Sequence, residues 1–246
     1  MLQKYSKWLM VVAIPAWVGI SFFAAQAIVV GVIWVLGVFK ISLSGINEAL
    51  LNTIFATVIY MIAILFVIGA PWLIKKKKTS LKDLGLDNLP SWMDILLAPA
   101  GFVVYIVLSS LLIMLASSLF SGFDANQIQE VGFNNLSSQF EYILAFVVLV
   151  VAIPVAEEVL FRGFLFGKLK RLVPVWVAVI VTSVLFGVLH GSWNVAIDTI
   201  ALSVVLCVLR QITGSLWPSI LLHMIKNGVA FYFLFINTSF LTTLGR

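Results

Sequence analysis

Charge is scarce in this chain. Asp, Glu, Lys and Arg make up 10% of its 246 residues, against 62% hydrophobic residues and a mean hydropathy of +1.15. A soluble domain carries about 25% charged residues, so the composition excludes one and implies a polytopic membrane protein. Alternation of apolar and polar residues, the mark of barrel strands, is also missing. The apolar runs are long, which leaves helices as the backbone solution in lipid. Cysteine is nearly absent. Cys207 stands alone among Leu and Val, excludes an intrachain disulfide and reads as a packing residue. No internal repeat is evident, and the only low-complexity stretch is a lysine run. The length leaves no room for a separate soluble domain, so residues 1–246 are expected to form one integral membrane unit. The 31-residue stretch from Leu9 to Phe39 exceeds the 7–15 residues of a signal-peptide apolar region and reads as the first membrane helix.

A membrane span takes about 20 residues, more if tilted. Seven stretches qualify: 8–39, 48–74, 92–120, 138–168, 174–190, 195–211 and 216–237. An eighth, partial or re-entrant helix is left open. The expected fold is thus an all-α polytopic transmembrane bundle of about 7–8 membrane helices. Pro15 and Pro154 fall inside apolar runs, where they are expected to kink the helix. The net charge of +5 comes mainly from residues flanking the spans, and it reports orientation rather than nucleic-acid binding. Lys75–Lys78 with Lys82, then Lys168, Lys170 and Arg171, and finally Arg210 mark alternate loops as cytoplasmic. The loop 121–137 carries Asp124 and Glu130 without Lys or Arg and is expected to face outward. The N-terminus is therefore expected in the cytoplasm. Trp8, Trp72, Trp92, Trp176 and Trp217 lie near span ends as an interfacial belt. Residues 79–86 read as a short interfacial turn. The four consecutive lysines read first as a cytoplasmic anchor and second as a contact for anionic lipid.

Against this apolar background a few polar groups stand out. Glu157, Glu158 and Arg162 lie in an otherwise apolar span, where each charge costs about 2.5–3.5 kcal/mol on insertion scales. Glu158 and Arg162 are four apart, share a helix face and can pair. Glu157 is rotated by about 100° and is left as the free carboxylate, suited to general-base work when buried. Structural packing of a Glu–Glu–Arg cluster is the competing reading. Both histidines of the chain, His190 and His223, also fall in apolar spans. Counted from a turn near Leu172, Glu157 and His190 lie 15 and 18 residues away, so straight antiparallel helices would bring them roughly level. His223 and Asn227 are four apart and share a face. They can offer donors to a substrate carbonyl or oxyanion, or serve as interhelical hydrogen-bonding groups. Lys226 between them either snorkels or lines a wet cavity. Together these residues point to a catalytic or ligand-binding centre.

In this order, Glu157-Glu158-x-x-x-Arg162, Phe186-x-x-x-His190 and His223-x-x-x-Asn227 resemble the three motifs of the CAAX protease and bacteriocin-processing family of intramembrane endopeptidases. Thr213–Pro218 and Ser80–Leu86 also look like that family. The resemblance is specific over 154–231 and weak over the first 140 residues. It implies a catalytic core at 138–237, with 1–137 supplying N-terminal membrane helices and the lysine-rich loop. It further implies that Glu157 activates a water with His190 as partner, that His223 and Asn227 stabilise the oxyanion, and that Glu158, Arg162 and Phe186 support the site. No cofactor is then required. The alternative is a zinc enzyme with Glu157, His190 and His223 as ligands, although the usual His-Glu-x-x-His pair is absent. The implied partners are membrane lipids and a peptide or membrane-protein substrate, and the implied location is a prokaryotic inner membrane. Bacteriocin-immunity binding and proton-relay transport are the other functional classes. The first needs no complete base, partner and oxyanion set, and the second often shows repeat symmetry.

Overall fold

Among the described residues the chain forms eight helices, and their lengths decide which side chains reach the buried glutamates. The computed structural model describes residues 2–43, 45–76, 78–125 and 136–237. In chain order the helices are α1 (Leu2–Val38), α2 (Glu48–Ile74), α3 (Leu81–Leu84), α4 (Trp92–Leu119), α5 (Gln139–Leu169), α6 (Val175–Val188), α7 (Trp193–Thr213) and α8 (Trp217–Ile236). No strand occurs among the described residues. Among the described residues six helices are long and apolar enough to cross a membrane, making this an integral, multi-pass membrane protein. Pro15 sits inside α1, which continues through it. Glu130 of the expected outward loop lies outside the described residues.

One expected span needs correction. The stretch 174–190 forms only the 14-residue α6, about 21 Å long at ~1.5 Å per residue. The hydrocarbon core is about 30 Å thick. Helix α6 therefore stops short, and His190 lies in a turn beyond it rather than on a helix. Gly191 (φ +78°) makes that turn in a conformation that side-chain-bearing residues rarely adopt. Gly187 lets α6 and α7 close up, since a Cβ there would meet Ile200 Cγ1 at 2.5 Å and the Ala196 carbonyl at 2.7 Å.

The polar ends are tied separately. At one end Asn47, before α2, donates to Glu141 at the start of α5 (2.5 Å). The basic clusters gather at the other end. There α3 forms a one-turn helix with a Ser80–Asp83 capping box. Arg171 pairs with Asp83 (3.0 Å), Lys170 donates to Gln211 (3.1 Å), and Arg210 donates to the Asp83 carbonyl (3.4 Å). Hydrogen bonds from Ser80, with Arg171 adding to them, hold the Asp83 carboxyl down to about 2. Leu216 N–H donates to the Gly85 carbonyl (2.8 Å), tying the start of α8 to this end. Arg210, expected as a loop marker, is buried.

Apolar packing joins the helices in two main clusters. One gathers α1, α2, α5 and α6 around Leu160, Leu165 and Phe186. The other joins α4, α7 and α8 through Leu202, Leu206 and Leu222. Cys207 is fully buried in the first cluster. Trp8, Trp72, Trp92 and Trp176 are exposed, as residues at a lipid-facing surface can be.

Candidate active site

Helix α5 carries the glutamates and is irregular around them. It is α-helical over Ile153–Glu158 but π-helical over Val147–Ala152 and Val159–Phe166. Such wider turns often occur at functional sites. Pro154 has a backbone consequence here. Ile153 N–H bonds to Val148, five residues back, and Pro154 has no N–H to give the next carbonyl, Leu149. Asn227 of α8 fills that gap, donating from Nδ2 to Leu149 O at 2.8 Å. One of its two amide hydrogens is thus structural, and the other is available to the cavity that Asn227 lines.

Glu158 and Arg162 form an ion pair at 2.8 Å, both at 0% exposure. The Arg162 guanidinium also lies 4.2 Å from the centre of the Phe186 ring. Glu158 Oε1 is shared with His223, whose Nδ1 lies at 2.8 Å. An ionised carboxylate only accepts, so Nδ1 carries the proton. His223 Nε2 then sits 3.6 Å from Glu157 Oε2. The histidine of α8 therefore bridges both glutamates of α5.

His190 is held through the opposite nitrogen. Its Nδ1 lies 2.7 Å from the Phe186 carbonyl, which only accepts. In the neutral ring Nε2 is consequently an acceptor. Phe186 packs edge-on against Phe161 (4.9 Å), His190 (4.8 Å) and His223 (6.0 Å between ring centres). This single ring sets the spacing of both histidines and the arginine.

Glu157, His190, His223 and Asn227 all line one cavity of about 230 Å³. Its other walls are mostly apolar, including Leu149, Ile153, Val195 and Phe231. Glu158, Arg162 and Phe186 stand behind it. Lys226 also lines the cavity and approaches Asp198 (3.6 Å). Asp198 in turn accepts from Tyr105 (2.7 Å) and Ser109 (2.6 Å) of α4. Sequence reasoning missed this supporting cluster.

It also missed Tyr60. Glu157 is not the free carboxylate that the helix geometry implied, because the Tyr60 hydroxyl, from α2, donates to its Oε1. Phe22 of α1 packs on the Tyr60 ring at 5.7 Å. The N-terminal helices thus fix one oxygen of Glu157 and leave Oε2 toward His223. Losing a hydrogen bond to a charged group costs about 1.5–3 kcal/mol. Tyr60→Phe is therefore expected to lower any turnover that depends on Glu157 about tenfold or more with KM little changed, as measured by steady-state kinetics. An unchanged kcat would remove Tyr60 from any positioning role.

A zinc site needs a third ligand. Glu157 Oε2 and His223 Nε2 are spaced as two ligands of one ion, but His190 does not complete the set. Among the described residues no three His, Cys, Asp or Glu side chains are gathered to hold a metal, and Tyr60 occupies the second Glu157 oxygen.

Residues 139–229, which comprise α5, α6, α7 and most of α8, match the family model described as type II CAAX prenyl endopeptidase, Rce1-like. No curated protein and no solved structure matches the chain.

Proposed function

We propose, from the match of residues 139–229 to the family model described as type II CAAX prenyl endopeptidase, Rce1-like, that the cavity hydrolyses a peptide bond in a membrane-associated peptide or protein, with a water activated by Glu157. The observation that carries this reading is the convergence of Glu157, His190, His223 and Asn227 on one otherwise mostly apolar cavity inside the bundle. Glu157 Oε2 takes a proton as the water oxygen attacks the scissile carbonyl carbon. His190 Nε2, an acceptor in the neutral ring, holds the second water hydrogen. The carbonyl oxygen becomes an anion facing the free Asn227 N–H and His223 Nε2, which donates when that ring carries both protons. The C–N bond then breaks. The proton on Glu157 passes to the leaving nitrogen, giving an amine and a new carboxyl terminus. Glu158 and Arg162 position His223, and Phe186 positions His190.

The apolar walls suit a substrate segment that enters from lipid. The basic end, with Lys168, Lys170, Arg171 and Arg210, belongs in the cytoplasm by the positive-inside rule. The N-terminus then starts on the cytoplasmic side, in a prokaryotic inner membrane. The mechanism requires no metal. Cleavage by purified protein in lipid is therefore expected to persist after exhaustive chelation. Activity that is lost and returns with added zinc would overturn it.

A further inference from the structure

A second cavity, of about 550 Å³, lies away from the glutamates on the flank of the bundle, between α1, α2 and the end of α5. Ile14 and Trp17 of α1, Pro71 of α2 and Phe164 of α5 give it apolar walls. Its polar end is cationic: Lys78, just beyond α2, and Lys168, on the last turn of α5, both line it. No carboxylate lines the cavity. Asp83, on the adjoining segment, is engaged by Ser80 and Arg171 and also acts electrostatically on Lys168, without forming an ion pair with it. Among the described residues neither lysine makes an ion pair. Lys168 Nζ instead lies 5.8 Å from the Phe164 ring centre.

Two ammonium groups beside one concavity repel unless an anion lies between them. The flank belongs to a multi-pass membrane protein, so the apolar part of the cavity opens where acyl chains run. The basic end coincides with the polar end of α2 and α5, at headgroup level. We propose that this cavity binds an anionic phospholipid, with an acyl chain along the α1–α2–α5 walls and its phosphate between Lys78 and Lys168. A zwitterionic lipid brings its own cation next to the phosphate and gains less from the two lysines. The pairing of a deep apolar wall with two cations at its end also sets this place apart from the rest of the lysine run. The site is independent of the peptidase reading.

Native mass spectrometry of the purified full chain, titrated with phosphatidylglycerol and phosphatidylcholine of identical acyl chains, tests it. Wild type is expected to retain phosphatidylglycerol about tenfold more strongly. Lys78→Gln with Lys168→Gln is expected to equalise the two lipids. Ile14→Trp, which fills the apolar wall and leaves both lysines, is expected to weaken retention of phosphatidylglycerol. Equal retention by wild type, or a preference intact in the double variant, would overturn the proposal. So would displacement of the lipid by glycerol phosphate at equal concentration, which would mark a simple anion site.

Discussion

Glu157→Gln is expected to lower peptide cleavage at least 100-fold while leaving the thermal unfolding midpoint within about 2 °C of wild type. General-base catalysis contributes about 10²–10⁴-fold, and glutamine keeps the volume and the carbonyl acceptor for the Tyr60 hydroxyl. What it lacks is the basic oxygen 3.6 Å from His223 Nε2. The two readouts separate chemistry from folding. A loss of both activity and stability would make Glu157 a structural residue. A loss of activity alone assigns it to the reaction. Asp198, by contrast, is held by hydroxyls of α4 and faces Lys226, so it stands behind the cavity rather than lining it.

Arg162→Met carries the largest expected cost to the fold. Arg162 and Glu158 are both at 0% exposure, and Arg162 is among the largest fully buried side chains. Removing one partner of a buried pair costs about 3–5 kcal/mol because the other charge is stranded. For a chain of this size that corresponds to a fall of about 10 °C in Tm, measured in detergent or lipid. Glu158→Gln combined with Arg162→Met removes both charges and keeps an acceptor for His223 Nδ1. The double variant is expected to recover most of the lost stability. A single variant as stable as wild type would contradict the role of this pair.

The residues that sequence made legible share one property: they are expensive where they stand. Glu157, Glu158, Arg162, His190 and His223 are conspicuous in apolar spans, and helix periodicity alone pairs Glu158 with Arg162. Tyr60 carries no such signal, because a tyrosine in an apolar helix is unremarkable and its partner is 97 residues away. Asn227 was legible as a polar group but not for its bond to Leu149, which depends on the π-register of α5 at Pro154. The end of α6 was hidden for another reason. Hydropathy runs unbroken to Leu189, while the chain turns after Val188 through the left-handed Gly191. That turn leaves His190 on the wall of the cavity that Glu157 also lines. Hydropathy found the six long spans because burial in lipid acts on composition. It cannot find partners, since those depend on which helices lie side by side.

The most direct test maps new peptide termini. Wild-type protein, Glu157→Gln and His190→Ala are reconstituted separately with a mixture of membrane peptides, and the products are sequenced by mass spectrometry. A defined set of new carboxyl termini is expected with wild type and none above background with either variant. Termini that persist in both variants would contradict a peptidase centred on Glu157 and His190.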